Sequence, residues 1–390
     1  MSIRFMLCTI WLLVYGPSFS QESVLEGYIS QGLENNSSFL REQLNTKIQE
    51  EVVKEANGNF LPNIFFDASY TLADGGRTIN VPAGDLVNPI YRALNQTTGS
   101  DQFPTDIANV SEQFLPNNFH ETKIRLIQPI LNTSIHHNYR IQTSMLSSQE
   151  AKQKALENQL IKQIKMAYYN HLSAKEQLSI LTQTREILEE LLSVSQKLVQ
   201  NNKATKDRIY GSKAELSRLE SRIAQAETQY NTSRDFFNYL LNRGLDEPIL
   251  TDEALIDSEW LNTDLSELQV LGLAKRSELA QLNYGLAANE ASVKLNKGYI
   301  IPDINVVADA GFQGFEYTFD QNQDFWFLRF GLTWPIFKGG QNKSKIQQSI
   351  LRKEQIQSNL DETKKLIALE ISEAFYSYKE ALKTLEASQS

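Results

Sequence analysis

Residues 326–340 read Trp326-Phe327-Leu328-Arg329-Phe330-Gly331-Leu332-Thr333-Trp334-Pro335-Ile336-Phe337-Lys338-Gly339-Gly340. Trp326, Leu328, Phe330, Leu332 and Trp334 recur at every second position, the period of a strand whose alternate side chains face opposite sides. Pro335 ends the strand, and Gly339-Gly340 makes a turn before a stretch with helical spacing. The same alternation occurs three more times. Ile304, Val306, Ala308, Ala310 and Phe312 alternate with Asp303, Asn305, Val307, Asp309 and Gly311. Ile64, Phe66, Ala68, Tyr70 and Leu72 alternate with Phe65, Asp67, Ser69 and Thr71, and Thr122, Ile124 and Leu126 oppose Glu121, Lys123 and Arg125.

Two environments suit such strands. In a soluble sandwich the apolar faces pack together and the charged faces stay wet. In a membrane barrel the apolar faces meet lipid and the charged faces line water. Trp326 and Trp334, eight residues apart on one face, stand roughly 20 Å apart along the normal of a tilted barrel, the height of an apolar band with aromatic girdles. That spacing favours the barrel, with Trp326, Trp334 and Tyr70 as girdle residues. Asp67, Glu121, Lys123, Arg125, Asp303, Asp309 and Arg329 then face the lumen. Four strands cannot close a barrel, and open edges in lipid leave unpaired amides and carbonyls. The barrel is expected to be shared between chains, with 8 or 12 strands both open on this arithmetic.

The chain also repeats. At an offset of 240, residues 25–68 align without a gap on 265–308, with Leu25/Leu265, Gly32/Gly272, Ser37/Ser277, Gly58/Gly298 and Pro62/Pro302 among 11 identities in 44 positions. At an offset of 207, Ile164-x-x-Ala167-Tyr168-Tyr169 matches Ile371-x-x-Ala374-Phe375-Tyr376. Each copy starts with a helix, near 22–57 and 265–297, stopped by Gly58 or Gly298 and barred from continuing by Pro62 or Pro302. Residues 74–118 form a Gly/Asn/Thr/Pro-rich connection between two strands, expected as an external loop.

No Gly or Pro occurs from 134 to 200. There, Leu160, Ile164, Ala167, His171, Ala174, Leu178, Leu181, Arg185, Leu188, Leu192, Ser195 and Val199 recur at steps of four and three. After a break near 201–205, Leu216, Leu219, Ile223, Ala226, Tyr230, Ser233, Phe237 and Leu240 form a second seam. The spacing predicts a long antiparallel helical hairpin. Ile367, Ile371, Ala374, Tyr378, Ala381 and Leu385 start a third seam. The expected fold is mainly α with a membrane β-barrel contribution: coiled-coil hairpins plus four strands per chain, in two tandem repeats over 21–264 and 265–390.

The 390-residue chain has net charge −9 and a pI near 5.2, which disfavours nucleic acid as a partner. Arg4, the apolar run 5–15 and the small residues Ser18 and Ser20 read as a secretory leader over 1–20. Cys8, the single cysteine, lies inside it, so neither disulfide nor thiolate chemistry is expected of the mature protein. His136 and His137 are adjacent, a spacing that sends their rings apart on a helix, and with His120 they read as exposed residues near a membrane interface. No cofactor, metal or catalytic residue is predicted, and no enzyme activity.

These features together resemble the TolC-like outer-membrane efflux proteins. The resemblance rests on the leader, the two-copy layout, the Leu61-Pro62 and Ile301-Pro302 helix-to-strand turns, and the Gln128-Pro129-Ile130 and Trp334–Gly340 strand-to-helix turns. It implies a homotrimer in the outer membrane whose twelve strands make one barrel and whose hairpins make a periplasmic tunnel. It also implies a periplasmic adaptor and an inner-membrane transporter as partners, and export of small toxic compounds or proteins. Gln196, Asn201, Asn202, Lys203, Thr205 and Asp207, at the hairpin tip, are by this analogy the adaptor-docking region. A second tip is expected near 408, so the resemblance predicts that roughly sixty residues of the family pattern are absent, with Ile367, Ile371 and Leu385 left exposed. A periplasmic coiled-coil adaptor without a barrel, or a truncated chain that does not assemble, are the rival readings.

Overall fold

In the computed structural model, which describes residues 24–251 and 263–389, Asn36 splits what the pattern reads as one helix. Helix α1 runs Val24–Asn35 and α2 Ser37–Gly58. Asn36 is the reason: its Oδ1 accepts hydrogen bonds from the backbone N–H groups of Ser38 and Phe39 at 3.0 and 3.1 Å, an N-cap for α2. Residues 265–297 break likewise, with α6 at Leu265–Lys275, α7 at Ser277–Lys297 and an extended Arg276 between them. The expected leader at 1–20 lies outside the described residues.

The chain divides into two compact units. One takes in residues up to 51, 144–286 and 355 onward, and the other 52–143 and 287–354. The first unit is helical. Helix α4 (Thr133–Gln200) is capped at its start by Asn132, whose Oδ1 accepts from Ser134 and Ile135 N–H. It ends where Asn202 turns left-handed (φ 55°): Lys203 N–H bonds Leu198 C=O and Asn202 N–H bonds Val199 C=O. That six-to-one and five-to-two pairing is a Schellman stop with Asn in the position glycine usually takes. Helix α5 (Asp207–Leu240) returns antiparallel and stops the same way at Asn242.

The core of this unit is Leu25, Tyr28, Ile29, Phe39, Leu160, Ile164, Ala167, Tyr168, Phe237, Leu240 and Leu241, so the seams read from heptad spacing do face inward. Phe237 meets Tyr28 edge-to-face at 5.1 Å. Each large apolar side chain buried here contributes about 1.5–3 kcal/mol. The polar members of the seam are paired: His171 Nδ1 lies 3.1 Å from Ser233 Oγ, and Ser195 Oγ lies 3.4 Å from Ser212 Oγ. The third seam, on α8 (Gln341–Gln389), differs from its expected exposure. Ile367 is buried and Ile371 half-buried, because α6 covers them, so of the three apolar side chains expected to be exposed only Leu385 is.

The second unit holds the sheet. Strands β1 (Asn63–Thr71), β4 (Phe119–Leu131), β5 (Asp303–Phe315) and β6 (Asp324–Thr333) are all antiparallel in the order β1-β4-β5-β6. Pro129 cannot donate to the ladder, and the β4–β5 register shifts between Pro129 and Leu131. Residues 74–118 are not a plain loop. They contain β2 (Thr78–Val81) paired with β3 (Val110–Gln113), and helix α3 (Ala83–Thr98) between them. Asn88 and Asn95 pin α3 through paired hydrogen bonds to the backbones of Ile107 and Phe103. Its apolar stripe of Leu86, Ile90 and Leu94 is the exposed side.

Candidate functional site

The site is the sheet, and its geometry follows from the register. Residues directly opposite in an antiparallel pair share a face. The rows Asp67–Lys123–Gly311–Phe325 and Phe65–Arg125–Asp309–Phe327 therefore lie on one side. Glu121, Asp303 and Arg329 join them by the period of two, so all seven residues read as lumen-facing do share one face. That face is not purely polar, since Phe65, Phe325 and Phe327 interrupt it. The other side carries Ile64, Phe66, Ile124, Leu126, Val306, Ala308, Ala310, Trp326, Leu328, Phe330 and Leu332.

Burial is inverted relative to a protein surrounded by water. Trp326 is 79% exposed and Phe330 73%, whereas Asp309, in the middle of the charged face, is 2% exposed. Its carboxylate accepts two hydrogen bonds from Arg125 Nε (2.9 and 3.1 Å) and one from Arg125 Nη2 (2.6 Å). Lys123 Nζ stands 3.9 Å away and also donates to Glu121 at 2.6 Å. A buried carboxylate survives only with such partners, because an unpaired charge out of water costs several kcal/mol. The Arg125–Asp309 pair fastens β4 to β5, strands almost two hundred residues apart in sequence.

Soluble proteins rarely expose so continuous an apolar surface, and strands of about 9–11 residues are what a tilted membrane span needs. The four strands are 9, 13, 13 and 10 residues long. Among the described residues no helix is long and apolar enough to cross a membrane, which says nothing of strands.

Several predicted positions come out differently. Trp334 is not in β6: the last paired residue is Thr333, opposite Asp303, because Pro335 and the turn behind it pull the chain out of the ladder. Trp326 and Tyr70 do lie on the apolar face, and Trp334 is an exposed residue just beyond it. His120 is not exposed but fully buried. The β5–β6 connection folds back over it, stacking Tyr317 on its ring at 4.2 Å, while Nε2 pairs with Gln323 Oε1 at 2.7 Å. His136 and His137 rings sit 5.4 Å apart, and no group of three metal-ligating side chains occurs among the described residues. Pro62 and Pro302 directly precede β1 and β5, Pro335 follows β6, and Gly339 and Gly340, both with positive φ, lead into α8, whereas Pro129, read as part of a strand-to-helix turn, lies inside β4, opposite Asn305, because the ladder continues through a register shift to Leu131. Gln196 lies on the last turn but one of α4, Asp207 starts α5, and Asn201, Asn202, Lys203 and Thr205 make the connection between them.

A four-stranded two-faced sheet joined to long antiparallel helices defines a class, the fold of outer-membrane efflux channels. Residues 270–390 match the family described as outer membrane efflux protein. The chain is similar in structure to the transmembrane channel CusC (TM-score 0.76, 14% identity, 95% of this chain and 79% of that one). It is similar also to the CmeC outer membrane channel of Campylobacter jejuni (0.70, 15%, 87% and 67%) and to the MtrE outer membrane channel of Neisseria gonorrhoeae (0.66, 17%, 93% and 73%). No curated protein matches it in sequence. By the family match over its last third and by fold over most of its length, the chain resembles the TolC-like outer-membrane efflux proteins.

Proposed function

We propose that the chain is one subunit of a trimeric outer-membrane duct that passes compounds from the periplasm to the exterior. One observation carries the reading: the sheet exposes an apolar face and has two edges, β1 and β6, without strand neighbours among the described residues. In lipid each unpaired backbone group costs several kcal/mol, so β6 of one copy pairs with β1 of the next until the ring closes. Three copies give twelve strands, the number the family resemblance favours over eight. The charged face, with its Arg125–Asp309 and Lys123–Glu121 pairs, then lines the aqueous lumen, and Trp326 and Tyr70 meet the lipid.

The helical hairpins extend the duct into the periplasm, where the α4–α5 connection from Gln196 to Asp207 meets an adaptor joined to an inner-membrane transporter. The tandem arrangement, 21–264 and 265–390, supplies the two strand pairs of each subunit. The duct itself does no chemistry, and small toxic compounds or proteins are its cargo class. A barrel-free periplasmic adaptor would leave the apolar face in water, which is the argument against it. Single-channel recording in a planar bilayer tests the reading: the purified folded protein should conduct ions, and folded protein that inserts but never conducts would overturn it.

A further inference from the structure

Hairpins β1–β4 and β5–β6 share one register. Moving 240 positions on from β1 and 206 on from β4 turns the facing pair Asn63–Ile127 into Asp303–Thr333, and Thr71–Phe119 into Gly311–Phe325, both of them facing pairs of β5–β6. The step of 206 also carries Leu126, Pro129 and Ile130 onto Leu332, Pro335 and Ile336. The two hairpins nevertheless stop differently. Strand β4 runs on past Ile127, its last partner on β1, to Leu131, whereas β6 stops at Thr333, the counterpart of Ile127.

A second neighbour makes the difference. Over this continuation β4 is held by β5 alone: Gln128, Pro129 and Leu131 face Val306, Asn305 and Ile304. Pro129 lies inside that ladder, so a proline at this place does not bar pairing, and the register shift beside it absorbs the missing N–H. Strand β6 has no strand on its outer edge among the described residues. Trp334–Phe337, the counterpart of Gln128–Leu131, is therefore left outside the ladder, with Ile336 82% and Phe337 85% exposed.

The other free edge is β1, which stands to β6 of a neighbouring chain as β5 stands to β4. Carried over by the same two steps, the β4–β5 register sets Arg329 opposite Thr71, Thr333 opposite Asp67, Trp334 opposite Phe66 and Pro335 opposite Phe65. It also keeps the faces together. Asp67, Thr71, Arg329 and Thr333 belong to the charged side, and Phe66 to the apolar side that Trp334 continues at the period of two.

We propose that Trp334–Phe337 is the unpaired end of β6 and becomes strand on β1 of a second copy of this chain, with Thr333 opposite Asp67. This rests on the reading that several copies close one barrel, and it adds the register and the segment that orders on assembly. The competing register sets the strand ends flush, Asn63 opposite Thr333, and leaves Trp334–Phe337 unpaired.

Cysteine pairs separate the two registers, because they differ by four residues, roughly 13 Å along the strand, and a disulfide needs Cα atoms within about 7 Å. In the full chain carrying Cys8→Ser, Asp67→Cys with Thr333→Cys is compared with Asn63→Cys with Thr333→Cys; all three positions are exposed in the single chain. Native mass in mild detergent is read before oxidation, and covalent products after copper-phenanthroline treatment of the membranes. A pair that disturbs the unoxidised assembly is replaced by Thr71→Cys with Arg329→Cys, which samples the proposed register again. The expected result is a trimer converted mostly to linked dimers and trimers by the Asp67/Thr333 pair, with little product from the Asn63/Thr333 pair or from any single cysteine. A trimer in which the flush pair links as well or better, or in which the proposed pairs do not link, overturns the register and leaves the duct standing. A single chain by native mass, in the protein carrying Cys8→Ser alone, overturns both.

Discussion

The covered and open versions of the same helix contact show what a glycine and an isoleucine can and cannot do alone. Gly32 and Gly272 both let an isoleucine side chain press against the helix backbone. At Gly32 the third helix closes the contact, Ile164 is fully buried, and Tyr28, Tyr168 and Phe237 pack around it. At Gly272 Ile371 is only half-buried. Close helix approach is thus encoded locally in both halves, while the dry core depends on α5. Among the described residues, the first contact lies inside a core and the second at its margin.

The comparison can be broken by substitutions at equivalent positions. Ile164→Ala is expected to destabilise by about 2–5 kcal/mol, the range for a buried isoleucine that leaves a cavity, whereas Ile371→Ala, at a half-buried position, should cost no more than about 1–2 kcal/mol. Chemical denaturation of the detergent-solubilised protein reads the difference. Equal costs would mean that Ile371 is packed as tightly as Ile164.

Gly32→Ala and Gly272→Ala sharpen the same point with a smaller effect. Alanine gains about 1 kcal/mol of helix propensity at either site. At Gly32 the added methyl meets Ile164 and Leu241, both held on every side, and overpacking of about 1–3 kcal/mol outweighs the gain. At Gly272 the added methyl meets only the far end of the half-buried Ile371, which can swing aside, so the change should be neutral or stabilising. The same denaturation assay gives the sign.

The smallest effect is a pH slope confined to the first half. His171 is buried on the seam, and burial, followed by the nearby charges of Lys175 and Arg234, lowers its pKa below the usual histidine value. The unfolded chain therefore binds the proton more readily, and stability is lost as pH falls below about 6.5 toward the lowered value. His171→Gln should flatten that part of the stability–pH curve. An unchanged curve in the variant would assign the dependence to another group.

The helical seams were legible because burial at steps of three and four leaves an apolar stripe in the sequence, and Leu160, Ile164, Leu219 and Phe237 are all where that stripe puts them. The two faces of the sheet were legible for the same reason at a period of two. Helix α3 was hidden because its fixing residues, Asn88 and Asn95, are polar and its exposed stripe is apolar, the reverse of the usual pattern. Asn36 was missed because a cap in the middle of an apolar-periodic run leaves no gap in that pattern, although Asn followed by Ser37 and Ser38 was the available signal. His120 was misjudged because its burial comes from Tyr317, nearly two hundred residues away, and Trp334 because alternation continued one step past the last ladder partner.

Native mass spectrometry of the detergent-solubilised protein from the envelope tests the shared barrel most directly. A particle of three chains is predicted, since only neighbours can satisfy the free edges of β1 and β6. A stable single chain, with those edges open and the apolar face covered by detergent alone, would contradict it.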